Sequence, residues 1–369
     1  MAKRKPATRR TTSGSATELK KKLIKTNRDL VKLLTEHARL STRMARLRGE
    51  AGEPVYDVET EHQTLQQAVQ SNRGPLGERC VRAIFRELIS GSRSLVKPIR
   101  VAYLGPTYSY SHLAAIERFG SSAELVPVAT IAAVFQELNR AHVDFGIVPI
   151  ENSTDGRVVD TLGMFTRLPV RISGEVQLRI HHFLLGKCDR AEIKEVYSKP
   201  QALSQCREWL AMHLPLARTV EMASTAAAAQ LAAEKHGAAA IASMQAAVNY
   251  GLHIIAENIE DNKNNITRFA VISDHEVPRT GRDKTAVMFE LWHKPGSLAD
   301  AMAIFKRNRI NLTWIESFPM PSTEKEYLFF VEMEGHQNDT KIKRALAALG
   351  RKTVRLEILG SYAKAEPVE

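Results

Sequence analysis

No stretch of the 369 residues approaches the roughly 20 consecutive apolar positions that a helix needs to cross a bilayer. The basic N-terminus also lacks the apolar core of a signal peptide. Cysteine is scarce: Cys80, Cys188 and Cys206 are odd in number, far apart, and without C-x-x-C or histidine spacing. Neither a disulfide framework nor a structural metal is expected, and a reducing cytoplasm is the expected compartment. There is no GxxxxGK[ST], and Gly105-Pro106-Thr107-Tyr108-Ser109-Tyr110-Ser111 has too few glycines for a dinucleotide loop. ATP and NAD are therefore disfavoured, and no cofactor is expected. Acidic residues are outnumbered, giving a formal charge of +11, but the excess is local. Nine Lys/Arg stand between Met1 and Lys25 against the single acid Glu18, which accounts for +8 of it. No aromatic stacking pattern accompanies this arm, so residues 1–14 read as a disordered solubilising tail rather than a nucleic-acid contact.

What is present suits two or three soluble domains, with 44% apolar and 25% charged residues. Ser15-x-x-Glu18 reads as a capping box. After it, Leu19, Leu23, Leu30, Leu33, Leu34, Leu40, Met44 and Leu47 keep a stripe spaced by threes and fours. A helix of some 30 residues, about 45 Å long, is expected to about Arg48. Two shorter helices follow, at about 58–70 and 76–94. They cannot cover such a stripe, so a second copy of the chain is expected along it, in a homodimer or homotetramer. Residues 15–98 thus form an all-α, three-helix domain.

Residues 99–275 alternate strand and helix, the pattern of a parallel, two-lobed α/β unit. Ser109 with Ser111, then Ser198, then Ser224 with Thr225 stand where strands hand over to helix N-termini. Such termini suit a carboxylate or phosphate, although capping accounts for each residue as well. Glu151 and Asn152 close one strand. Thr267 and Arg268 open another, under the polar loop Asp261–Asn265. Residues 284–362 read as βαββαβ, the ferredoxin-like α+β order.

Three sets of motifs carry a resemblance. The helices, with Leu33-Leu34-x-Glu36, Pro54-Val55-Tyr56-Asp57, Glu61, Phe85, Glu87 and Ser92, resemble the all-helical class of chorismate mutase. Six ordered segments resemble prephenate dehydratase. They are Gly105-Pro106…Tyr110-Ser111-His112-Leu113, Val148-Pro149-Ile150-Glu151-Asn152-Ser153, Val196-Tyr197-Ser198-x-Pro200-Gln201-Ala202-Leu203, Ser224-Thr225-Ala226-Ala227-Ala228, Ala240-Ile241-Ala242-Ser243 and Thr267-Arg268-Phe269. Lys294-Pro295-Gly296-Ser297-Leu298 and Asn311-Leu312-Thr313-x-Ile315-Glu316-Ser317-x-Pro319 resemble an ACT domain. The whole resembles the bifunctional chorismate mutase/prephenate dehydratase family.

That resemblance implies lobes like a periplasmic binding protein with the site in their cleft, the chain crossing between them near Ile172-Ser173 and returning near Ile254–Ile259. It implies a carbon-oxygen lyase that converts prephenate to phenylpyruvate, water and CO2 in phenylalanine biosynthesis. Thr267 matches the family's catalytic threonine and would donate to the departing hydroxyl, with Asn152 beside it and Glu151 as a relay or alternative acid. Ser111, Ser198, Gln205, Ser224 and Thr225 would bind substrate. Arg268 is either a carboxylate partner or a lobe-to-lobe salt bridge. Tyr108 replaces the second glycine of the family's GPxG loop, and Lys199 the histidine after Ser198.

In the mutase motif only Asp57, Glu61 and Ser92 stand unchanged. Lys20, His37, Arg48, Thr60 and Val96 replace an arginine, an arginine, a lysine, an arginine and a glutamine, which implies a helix bundle with weak or no mutase activity. Gly296, Ser297, Leu298, Glu316 and Ser317 would bind phenylalanine as effector, with Phe318 replacing the motif's arginine; dimerisation alone is the alternative role. Arogenate as substrate, a fully bifunctional enzyme, and a two-lobed sensor of anions or amino acids are the competing readings.

Overall fold

The computed structural model describes residues 12–52, 58–154, 156–319 and 327–368. Most of the basic arm, and Asp57 of the mutase motif, lie outside the described residues. The chain forms two compact units, Met1–Pro98 and Ile99–Glu369.

In the first unit α1 (Thr12–Glu50), α2 (Val58–Ser71) and α3 (Glu78–Ser94) follow the expected order. α1 starts earlier than its capping-box signal, so residues 12–14 belong to the helix and not to the tail. Its 39 residues span about 58 Å at 1.5 Å each. α3 packs on both other helices. Leu19, Leu23, Leu30, Leu33, Leu40 and Leu47 nevertheless stay more than half exposed, as expected of a stripe too long for two short partners.

The second unit holds three sheets. In the first lobe β1 (Arg100–Leu104), β2 (Glu124–Val128) and β3 (Phe145–Asn152) pair in parallel, with α4 (Tyr110–Phe119) and α5 (Ile131–Asn139) as crossovers. A two-residue β4 (Gly156–Arg157) folds back on β3, and α6 (Val159–Phe165) follows. β5 (Arg171–Arg179) and β11 (Ile266–Ser273) complete this sheet and are antiparallel to their neighbours, giving the order β2-β1-β3-β11-β5. The purely parallel arrangement suggested by the βα alternation is therefore replaced by a mixed sheet. The cause is the crossover, because the chain returning from the other lobe enters the sheet from the opposite end.

The second lobe comprises β6 (Phe183–Gly186), β7 (Glu195–Ser198), β8 (Arg218–Glu221), β9 (Ala238–Ala242) and β10 (His253–Ala256), in the order β10-β6-β9-β7-β8. Its helices are α7 (Pro200–Gln205), α8 (Arg207–His213), α9 (Thr225–Glu234) and α10 (Met244–Tyr250). Alanines make β9 and α9 thin enough to pack with every β9 residue buried.

The lobes are joined at Ile180–His182, not at Ile172-Ser173. All of β5 still pairs with β11, so the outward crossing follows it. The two connectors are stitched together: Ile180 N donates to Asn265 O at 2.8 Å, Ile259 N to His182 O at 2.9 Å, and His182 N to Glu260 Oε2 at 2.9 Å.

The C-terminal domain is β12 (Asp283–Leu291), α11 (Ser297–Arg307), β13 (Leu312–Pro319), β14 (Tyr327–Glu334), α12 (Thr340–Gly350) and β15 (Arg355–Ala363). Its antiparallel sheet runs β13-β14-β12-β15, the ferredoxin-like arrangement. One face, with Val287, Phe289 and Val331, is covered by α11 and α12. The other, with Met288, Trp314 and Phe330, joins the core of the first lobe. Covering on both sides explains why all nine residues of β12 are buried. Gly360 marks the closest approach, since a Cβ there would lie 2.1 Å from Ile172 O.

Candidate active site

Strand register decides what Thr267 can touch. β11 sets Thr267 opposite Asn152 and Arg268 opposite Glu151. Successive side chains of a strand point to opposite faces, so the four residues separate into two pairs. On one face Asn152 Nδ2 donates to Thr267 Oγ1 at 2.7 Å. Asn152 Oδ1 accepts from Thr154 N at 2.9 Å, which fixes the orientation of the amide. Because Thr267 Oγ1 accepts there, its own O–H can donate elsewhere, polarised by the bond it receives.

Asn152 opens on a cleft of 440 Å³ with walls from both lobes, Arg157 and Asp160 on one side and Lys199 and Gln201 on the other. The lining thus carries two cations, Lys199 and an Arg157 that is paired with Glu316, beside the acid Asp160, and cations so placed suit a carboxylate ligand. Behind Asn152 runs a buried amide chain. Asn152 Nδ2 also reaches Asn265 Oδ1 at 3.1 Å, and Asn265 Nδ2 donates to Gln205 Oε1 at 3.0 Å. His182 Nε2 lies 2.8 Å from the same Gln205 oxygen. Burial pushes the His182 pKa down, so the ring is neutral, and its proton sits on Nε2 because Gln205 Oε1 can only accept. The chain ties the Thr267–Asn152 pair to the hinge.

On the opposite face Arg268 is held by carboxylates. Its Nη1 donates to Glu151 at 2.7 Å, and its Nη2 to Glu175 at 3.0 Å and to the two oxygens of Glu332 at 2.8 and 2.7 Å. Burial alone would draw the proton off Arg268, but Glu332 and Glu175 outweigh it and raise its pKa. Lys284 Nζ lies 3.0 Å from Glu175, and Tyr362 OH donates to Glu332 at 2.7 Å. Of the two readings open for Arg268 the ion pair is the one formed. It joins the sheet to the C-terminal domain and not lobe to lobe. Glu151 belongs to this cluster, on the wrong face for a relay to Thr267.

Of the other expected binding residues, Ser198, Ser224 and Gln205 are engaged within the fold. Ser198 is fully buried and donates to Ile241 O at 2.6 Å. Ser224 caps α9 by accepting from Ala227 N at 3.0 Å, and Thr225 begins that helix. Ser111 is buried in the first turn of α4, where Ser109 serves as the cap. Gln205 serves the hinge. Tyr108 takes φ +66°, the conformation that favours glycine, and its ring lies 6.5 Å from that of Tyr250 in the second lobe. Arg157 was not apparent from sequence. Its signal was the turn around Gly156, which folds back antiparallel on β3.

The family model described as prephenate dehydratase matches residues 101–277, and that described as chorismate mutase type II matches residues 19–97. A bifunctional chorismate mutase/prephenate dehydratase of Aquifex aeolicus is 40% identical over 353 residues, covering 94% of this chain and 98% of that one. Its namesake in Pseudomonas aeruginosa is 41% identical over 343 residues, covering 91% and 94%. The chain belongs to the bifunctional chorismate mutase/prephenate dehydratase family. Among solved structures, a prephenate dehydratase from Arthrobacter aurescens in complex with L-Phe superimposes with a TM-score of 0.67 at 33% identity, over 72% of this chain and 90% of that one.

The mutase domain has a cavity of its own, of 120 Å³. Arg48, Glu61 and Ser92 line it together with His37, Thr60, Arg93 and Val96. Arg93, which the motif comparison did not single out, donates to both oxygens of Glu61 at 3.0 Å. Arg48 donates to Thr60 Oγ1 at 3.2 Å, and Ser92 Oγ to Leu88 O, within its own helix, at 2.7 Å.

In the C-terminal domain the expected effector residues divide between the two faces of the sheet. Gly296, in the left-handed region at φ +86°, precedes Ser297 and Leu298 at the start of α11. Ser317 pairs with Phe329, on the face that α11 covers. Glu316 pairs with Phe330 on the other face and accepts from Arg157 Nη1 at 2.6 Å. Arg157 also lies 5.0 Å from the Phe318 ring. No helix among the described residues is long and apolar enough to cross a membrane.

Proposed function

We propose that the chain acts on prephenate, releasing CO2 and water to give phenylpyruvate, at the cleft beside Thr267 and Asn152. The observation that carries this is the Asn152–Thr267 hydrogen bond at the edge of a cleft whose lining includes Arg157 and Lys199. Loss of the ring carboxylate as CO2 leaves its electron pair in the ring, and aromatisation expels the C4 hydroxyl. The protein has to orient the ring and protonate the departing oxygen. Thr267, its oxygen held by Asn152, donates a hydrogen bond to that hydroxyl, which leaves as water with a proton drawn through Thr267 from solvent, so that Thr267 ends protonated. Arg157 and Lys199 are placed to take the carboxylates. Prephenate is preferred to arogenate because the latter's ammonium would meet these two cations.

The mutase domain serves mainly as a helical dimerisation element with weak or no mutase activity. Val96 cannot donate to an ether oxygen, and Arg93 is held by Glu61. Retained mutase activity is the second reading, favoured by a formed cavity that keeps two guanidiniums and by relatives named as bifunctional. The C-terminal domain is an ACT module that takes phenylalanine near Gly296–Leu298 and Ser317. Arg157 links its Glu316 to the cleft wall. The enzyme is cytoplasmic and assembles through α1 as a homodimer or homotetramer. One assay with purified protein tests the set. Phenylpyruvate should form from prephenate, with chorismate and arogenate turned over far more slowly, and millimolar phenylalanine should lower the rate. No turnover of prephenate would leave a sensor; chorismate turnover near the common enzyme rate of about 10 per second would restore the bifunctional reading.

A further inference from the structure

Arg268 follows Thr267 in β11 and Glu151 precedes Asn152 in β3, so the ion cluster is built on the backbone that carries the reacting pair. The register of these strands shifts between Arg268 and Phe269. Such a bulge re-aims the side chains beside it, and here it follows Arg268, one residue beyond Thr267, with Ile150 of β3 as the extra residue. Arg268, the residue before that shift, carries a guanidinium bound by three carboxylates. Its Nε is buried with no hydrogen-bond partner, so Nη1 and Nη2 alone locate it, and two of their four contacts go to Glu332. The Glu332 carboxylate is itself fully enclosed, with side-chain exposure of 0%, and is oriented by the Tyr362 hydroxyl. Arg268 lies 5.5 Å from the Trp314 ring, a second contact with the C-terminal domain.

We propose that Glu332 is a positioning residue for the dehydration. From the C-terminal domain, and through Arg268, it fixes the Thr267–Asn152 pair in the geometry that protonates the leaving hydroxyl. The dehydratase cleft is then completed by a residue that lies across a domain boundary and touches no substrate. This rests on the dehydratase reading of the cleft. The cluster has two cations (Arg268, Lys284) against three carboxylates (Glu151, Glu175, Glu332), so a charge-balance effect must be separated from a positioning effect.

The test uses the full-length chain with prephenate. Glu332→Gln keeps the shape but weakens the grip on Arg268. Its kcat is expected to fall about 10–100-fold, the scale of a small misplacement of reacting groups, with KM within about twofold. Glu332→Asp should recover part of the loss. The double variant Glu332→Gln/Lys284→Met removes one charge of each sign, keeps the cluster's net charge, and should remain slow; it decides the matter if the single variant does not fold. Wild-type kcat in folded Glu332→Gln, a loss confined to KM, or full recovery in the double variant would each overturn the proposal. A wild type that leaves prephenate unchanged overturns the dehydratase reading and this inference with it, whereas an active wild type with an equally active Glu332→Gln overturns this inference alone.

Discussion

Thr267→Val tests the proposed donation from Thr267 to the departing hydroxyl. Valine keeps the volume and the β-branch that suit a strand, so β11 should form as before. Two hydrogen bonds change. The first is the one Thr267 Oγ1 accepts from Asn152 Nδ2. Its loss is partly compensated, because the same amide nitrogen still has Asn265 Oδ1 at 3.1 Å. A neutral hydrogen bond contributes about 0.5–1.5 kcal/mol net, and the remaining partner puts the expected cost at the low end. For a domain of this size that is a fall in melting temperature of about 2–4 °C per kcal/mol. The second is the bond proposed to the departing hydroxyl, which would form only as the reaction proceeds. A positioned donor of this kind contributes about 100-fold or more to kcat, roughly 2.7 kcal/mol of barrier. Activity should therefore collapse while the fold survives. Thr267→Ser, which retains the hydroxyl, should stay within about tenfold of wild type. The assay is phenylpyruvate formation at saturating prephenate, with a thermal melt of each variant. A folded valine variant within about threefold of wild-type kcat would refute the assignment of the donor to Thr267.

Three further expectations follow from the same packing. Gly360→Ala brings a Cβ against the Ile172 carbonyl at a φ of +150°, so it should cost at least the about 1–3 kcal/mol of ordinary overpacking and lower the melting temperature; an unchanged melt would mean that β15 does not dock this closely. At Glu175 burial favours the neutral acid, but Lys284, Arg268 and the Ala365 N–H outweigh it and bring the pKa below its ordinary value. Stability from this carboxylate is thus present above the unfolded pKa and lost as pH falls through the lower folded value, so Glu175→Gln should melt below wild type at neutral pH, with the gap closing in acid; a gap independent of pH would count against it. Replacing Leu30 and Leu33, 52% and 63% exposed, by lysine should reduce the particle mass seen by light scattering, whereas an unchanged mass would place the oligomer interface elsewhere than on α1.

The elements of this chain could be read from its sequence because the signals are local. The apolar runs Phe145–Ile150 and Phe269–Ile272, and the strand-helix alternation of residues 284–362, specify themselves. Register does not. Whether Thr267 faces Glu151 or Asn152 depends on pairing between strands 115 residues apart, and a slip of one residue exchanges the two faces. Sequence reading therefore placed Glu151 in the cleft beside Thr267. Gln205 shows a related limit: its bonds with the buried His182 and Asn265 depend on tertiary contacts that no local pattern encodes. One missed signal was available. Glu332 interrupts the apolar run Phe329–Met333, and a carboxylate in a buried strand requires a cation. Arg268, charged beside a run just as apolar, was the unassigned candidate.

The same strands decide how separable the C-terminal domain is. Its sheet is a core layer of the dehydratase half, since Met288, Trp314 and Phe330 pack with Phe135, Phe165 and Ile172 in one cluster. The tail beyond β15 goes further: Val368 bridges to Leu178 on β5, the edge of the first-lobe sheet. Val368 N donates to Gln177 O at 2.9 Å, and Arg179 N to Val368 O at 2.8 Å. A chain cut before β12 would leave that edge open, expose an apolar face, and strand Arg268 and Glu175 without Glu332 and Lys284. The loss should thus reach the cleft through the strand that carries Thr267. An effector that shifts this sheet has the same path to the chemistry, because displacement of Glu332 or Glu316 acts directly on Arg268 or Arg157. Under the proposed function, regulation and catalysis would then meet at these two arginines, with no separate relay needed between them.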